Sequence, residues 1–203
     1  SGVSARLSIS ALENVVSNAE RRALQLGENS ASIRLSDLFA AVPAISGKLE
    51  LVYEGEREGV SGVARRVLGQ AVLAAFKRRC PDAYGSKPAK GRTSRPGPGT
   101  KDSPEEYSEY KPLLDWFARG GRVDLSDALP EAELRSALEA VPGLAAVAER
   151  HVKPGPGERS LAMELILEGL HQVSLIARED LIGGISYKDM LKTMFEGMGE
   201  TRE

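Results

Sequence analysis

The chain is poor in the residues that usually announce a chemistry. It holds one cysteine, Cys80, among 203 residues. That excludes an internal disulfide framework and a cysteine-rich zinc site, and makes a reducing, cytoplasmic setting the expectation. Its two histidines, His151 and His171, have no partners at metal-ligand spacing. Cys80 precedes a proline with no histidine nearby, so no nucleophile pair is readable there. Aromatic residues make up 5% and are sparse around the basic residues, which leaves few platforms for stacking bases. Apolar runs reach only about five residues, too few for a membrane-spanning helix. The opening Ser1-Gly2-Val3-Ser4-Ala5-Arg6 lacks the apolar core of a secretory leader.

The phosphate-binding loop GxxxxGK[ST] is also missing. Gly85 to Thr93 resembles it superficially, but lacks the terminal Gly-Lys pair and lies in no strand-to-helix turn. No apolar strand ends in paired acids. Leu165-Ile166-Leu167-Glu168 comes nearest, and its helical register makes Glu168 an ordinary helix position. Glu54, Glu56 and Glu58 alternate without anything to pair them as acid and base, and read as solvated.

What is present is a core and a skewed charge. Hydrophobic residues are 41% and charged residues 28% of the chain, so most of it can bury apolar surface. The net charge is only −2, yet ten basic residues and one acid, Asp82, fall between Arg65 and Lys101. Such a stretch is either solvated surface or a patch for an acidic partner or nucleic acid.

Periodicity divides the chain into a helical region 1–58, a long helix 59–79, a linker 80–112 and a C-terminal helical lobe 113–203. Ile9, Leu12, Val15, Val16, Ala19, Ala23 and Leu26 predict one helical face, capped by Ser10 or by Ser8 and closed by Gly27. Ile33-Arg34-Leu35 reads as extended. Ser36 is then expected to cap a helix through Val42, which restarts after Pro43, and Leu49 to Tyr53 fits helix or strand. Val63, Val67, Ala71, Ala74 and Ala75 predict the stripe of the long helix, widened by Val72 and Phe76. The linker carries six prolines and no apolar period, so an extended, disordered segment is expected. In the last part a helix starts at Leu113 and stops at Gly120-Gly121, and Arg122 to Leu125 alternates like a short strand. Asp127 is expected to cap a helix with Pro130 in its first turn. Further helices are predicted over 144–152 and 161–177, and a last one capped by Ser186 and Asp189. The expected fold is all-α, two helical lobes joined by a Pro/Gly-rich linker, with at most one or two very short strands.

The segment just before the first long helix places Arg6 near a helix N-terminus, where a guanidinium and backbone N–H groups can face one anion. The planar fork of arginine donates two parallel bonds to a phosphate. On spacing alone, an exposed structural arginine fits as well.

Residues 1–51 resemble the C-terminal helical lid of an AAA+ ATPase of the magnesium-chelatase I subunit and MoxR branch. The likeness rests on Gly2-x-Ser4-x-Arg6 opening a helix, on Ala19-Glu20-Arg21-Arg22-Ala23-Leu24, on Ile33 to Leu38 with Ala41-Val42-Pro43, and on Ile45 to Leu49 at the last lid helix. It covers about a quarter of the chain, by length. The resemblance implies that Arg6 is the sensor 2 arginine and that Gly2, Ser4 and Arg6 lie at the nucleotide. It implies ATP and Mg2+ in a longer parent chain and none in these residues alone, because the Walker motifs, sensor 1 and the arginine finger are missing here. With no initiator methionine and a start inside a motif, a C-terminal fragment is expected. The partners implied are an upstream P-loop domain, neighbouring ring subunits and a client protein, with neither nucleic acid nor membrane among them. The competing readings are a nucleic-acid-binding module and a plain helical interaction module.

Overall fold

The computed structural model describes residues 5–46, 59–80 and 109–190. The first helix, α1, runs Ala5–Leu26. It starts earlier than Ser8 or Ser10, so neither serine is a cap, because Leu7 and Ala11 already pack against a core. Gly27 closes it with φ +68°. The Glu28 N–H donates to Ala23 O at 2.9 Å and the Gly27 N–H to Leu24 O at 3.3 Å, the double bond of a Schellman ending.

The helix expected from Ser36 is broken into three pieces. They are α2 (Leu35–Leu38), a 3-10 turn (Phe39–Ala41) and α3 (Val42–Ser46). Ser36 is not the cap. The buried Asp37 reaches back to accept the Arg34 N–H at 2.8 Å instead. The stretch 47–58, with the ambiguous Leu49 to Tyr53, lies outside the described residues.

The long helix α4 spans Gly59–Arg79. Its buried line is Ala64, Gly69, Val72 and Phe76, rotated from the expected stripe; Val67 is exposed. The cause is a close helix contact. Against α4 lies α8 (Arg159–Gln172), and at Gly169 an added Cβ would fall 2.2 Å from the Phe76 ring. Glycine permits that approach, and the approach selects the face.

The expected linker has both ends inside the fold. Cys80 and Tyr110 are buried, and Lys111 and Pro112 open α5 (Lys111–Ala118); 81–108 lie outside the described residues. Next come β1 (Val123–Ser126), α6 (Glu131–Glu139) and α7 (Leu144–His151). Pro130 is the residue that precedes α6, and Asp127 caps nothing there.

Helix α8 stops at Gln172, five residues short of expectation. Ser174 takes φ +61°, and the chain enters a hairpin of β2 (Ala177–Leu181) and β3 (Gly184–Lys188). Both pairings are antiparallel, in the order β1-β3-β2, with Val123 opposite Tyr187 and Ala177 opposite Lys188. Ser186 therefore lies in a strand and caps no helix; residues 191–203 are outside the described residues. The described residues are mostly helical, as expected, and carry three strands where at most two were foreseen.

Two apolar clusters result. The smaller joins Val15, Ala41, Val42, Ile45 and Ala64. The larger joins α4 through Phe76 and Cys80 to α5, α6, α7, α8 and the sheet. Helix α4 contributes to both, and Phe39 packs against both.

Candidate functional site

Two features among the described residues stand out. One is the face of α1 that carries Arg6. Arg6 is exposed in the first turn. Ile9 and Leu12 follow on the same face at 58% and 60% exposure, with Val16 beyond them. Val15, Ala19 and Ala23 are buried. Ala19 and Ala23 lie seven residues on from Leu12 and Val16 and so share their face. The apolar stripe read from the sequence is thus covered by described residues in its C-terminal half and left open in its N-terminal half. Gly2 and Ser4, the other expected nucleotide-facing residues, lie outside the described residues.

The second feature is a buried charge network on α8, which sequence reading missed. Glu164 and Glu168 stand one turn apart, 3% and 1% exposed. Glu164 accepts the Leu35 N–H at 2.9 Å, so its carboxylate caps the first turn of α2 from 129 positions away. Burial pushes its pKa up to about 8. The Leu35 N–H and Arg34 oppose the rise, while Asp37 and Glu131 add to it.

Around Glu164 the charges are crowded. Arg34 is buried, with Nε 3.8 Å from Glu131 Oε2 and no hydrogen bond from its guanidinium. Burial and the nearby Arg22 lower its pKa. Arg22 in turn pairs with Asp37 and donates to Ser32 O. Glu131 holds the Ser160 hydroxyl at 2.6 Å, and its own N–H meets Glu28 Oε1 at 2.5 Å. Five elements or segments of chain therefore share one polar interior, which fixes α1 and α2 against α6 and α8.

Glu168 is not the ordinary helix position its register suggested. It receives Arg178 Nη1 at 3.1 Å on both oxygens, Tyr187 Oη at 2.9 Å and Gln172 Nε2 at 2.8 Å. Burial opposes the charge of Arg178, but Glu168, Tyr187 and Asp180 outweigh it and its pKa is raised. Burial raises the Tyr187 pKa well above the usual phenol range, and Glu168 raises it further. Glu168 thus ties the hairpin to α8. The only clue in the sequence was a glutamate at each of two buried positions of one apolar helix.

The remaining residues singled out earlier play structural parts. Cys80 is buried in the larger core. His151 stacks on Tyr110 and lies 2.7 Å from Glu109. His171 Nδ1 sits 3.4 Å from Ile176 O. Glu54, Glu56 and Glu58 lie outside the described residues. Among the described residues no cluster of side chains could hold a metal ion, and no helix is long and apolar enough to cross a membrane. No family model, curated protein or solved structure matches this chain.

Proposed function

We infer that these residues form the helical lid and C-terminal coupling region of an AAA+ ATPase of the magnesium-chelatase I subunit and MoxR branch. The observation that carries the reading is the α1 face. It presents a basic side chain at the helix mouth and, on the same side, an apolar stripe of Ile9, Leu12 and Val16 without a partner among the described residues. Such a face suits a P-loop domain holding Mg-ATP.

In this reading Arg6 reaches the γ-phosphate, and the apolar stripe docks on the domain that holds the nucleotide. Phosphoryl transfer depends on positioning and on neutralising negative charge spread over the phosphate oxygens. Loss of the γ-phosphate removes a charge-assisted contact, and α1 is released. The buried network on α8 ties α1 and α2 to α6 and the hairpin, so movement of α1 is passed to the C-terminal part as a body. There it drives remodelling of a partner, or metal insertion into one.

Hydrogen exchange on the ATPase that contains these residues tests the docking. With Mg-ATP bound, amides of residues 6–16 should exchange more slowly than with Mg-ADP. Equal exchange in both states would remove the basis for the reading.

A nucleic-acid-binding module is the second reading. It is favoured by the exposed Lys77, Arg78 and Arg79 in the last turn of α4, although cations there also complement the helix dipole. Submicromolar duplex binding with a steep salt dependence would support it.

A further inference from the structure

We propose that the cleft between the 3-10 turn, α4, the end of α8 and β2 is a binding site for a phosphate-sized oxyanion, and that the Asp180 carboxylate holds its place. The cleft has a volume of about 230 Å³, room for a phosphoryl group and part of what bears it.

Its centre is the fork of Arg178. One end, Nη1, is committed to Glu168, which is 1% exposed. The side edge, Nε and Nη2, is the edge that binds carboxylate or phosphate bidentately. In the structure a single oxygen of Asp180 takes both donors, at 3.1 and 2.6 Å. The two contacts on Arg178 differ in kind. Glu168 is buried and bonded on both oxygens, whereas the Asp180 side chain is 64% exposed and lies two residues along the same strand. Arg178 is only 11% exposed, but the Asp180 end of the pair stands in solvent, where water competes for the carboxylate. An incoming dianion with more acceptor oxygens can displace it.

A second cation stands by. Arg65 reaches over from α4 with its guanidinium carbon 5.2 Å from the Phe39 ring centroid, and that of Arg178 is 4.7 Å from the same ring. Among the described residues Arg65 has no carboxylate within ion-pair distance. Both arginines line the cleft with Phe39, and an anion bound there offsets the repulsion between the two like charges. His171 lines the same cleft. With Asp180 swung out, Arg65 and Arg178 face only Glu168, so the cleft carries a surplus positive charge. The ligand would contact α4 and β2 together, and so clamp the hairpin to the long helix.

The test is a titration of the full 203-residue chain with inorganic phosphate, with O-phosphoserine, and with sodium chloride at matched ionic strength. Binding is followed by amide and arginine side-chain NMR shifts and by melting temperature. Saturable shifts at Arg65 and Arg178 are expected with the phosphates and not with chloride. Asp180→Asn should bind about fivefold tighter, because the place-holder's charge is gone. Arg65→Gln should bind about tenfold more weakly. Both substitutions are at exposed positions, and circular dichroism checks the fold. Tighter binding of O-phosphoserine than of inorganic phosphate would identify a phosphorylated chain as the source of the group; equal binding would identify free phosphate. Shifts reproduced by chloride, or Asp180→Asn binding no tighter than the unsubstituted chain, would overturn the proposal.

Discussion

At the residue scale the interior of the α1–α2–α8 junction is governed by protonation. Glu164 titrates near the ordinary carboxylate value of 4.5 when exposed and at about 8 in the fold. Between those values the native state keeps a proton that the unfolded chain has released. The stability it contributes is therefore fully present below about pH 4.5 and lost as pH rises through about 8. Glu164→Gln keeps an acceptor for the Leu35 N–H and removes the titration. Urea denaturation of both proteins should show the unsubstituted chain losing stability relative to Glu164→Gln between about pH 5 and 8, by on the order of a few kcal/mol. Parallel pH profiles would refute this. The two buried arginines should then behave oppositely to their similar burial. Arg34 makes no hydrogen bond through its guanidinium, so Arg34→Met is expected to be neutral or stabilising. Asp37→Ala strips Arg22 of its counter-ion and frees the Asn18 amide held at 2.7 Å. It should cost about 3–5 kcal/mol in the same assay.

At the scale of the elements, the α4–α8 contact is set by a glycine against an aromatic ring. Gly169→Ala would drive a methyl into Phe76 and should cost at least about 1–3 kcal/mol, the usual penalty of overpacking. The double variant with Phe76→Leu should recover part of that loss, and thermal denaturation of the set checks it. Additive losses would mean that the two helices do not meet at this point. This contact also explains where sequence reading erred. Periodicity gave the ends of α4, and the Gly27 stop, because those depend on local chemistry. It placed Val72 and Phe76 on the buried face of α4 correctly but centred that face on Val67 and Ala71, which are exposed, because Gly69 and Gly169 carry no hydrophobic signal, yet they decide which side can approach. The same holds for α8. Val173 and Ile176 continue the helical period in sequence, but the pairing of β2 with β3 draws Val173 into a turn and Ile176 into the bend that leads into β2, a contact invisible to a local pattern.

At the scale of the whole molecule, the helical character was legible, while the exposure of Ile9, Leu12 and Val16 on α1 and the polar hub were not. Arg6 could be singled out because a helix mouth and a short motif mark it. Glu164 and Glu168 could not, since a lone glutamate in a helix looks like solvated surface until Leu35, Arg178 and Tyr187 are brought to it from other parts of the chain. Their joint effect is to tie α1, α2, α6, α8 and the hairpin together through buried polar contacts; under the proposed function that tie is what would pass on movement. The proposed function is tested most directly by Arg6→Ala in the full-length parent ATPase that it requires, with turnover compared with that of the unsubstituted enzyme. If the proposal holds, hydrolysis falls by about tenfold or more while nucleotide affinity changes far less. Unchanged turnover would contradict it.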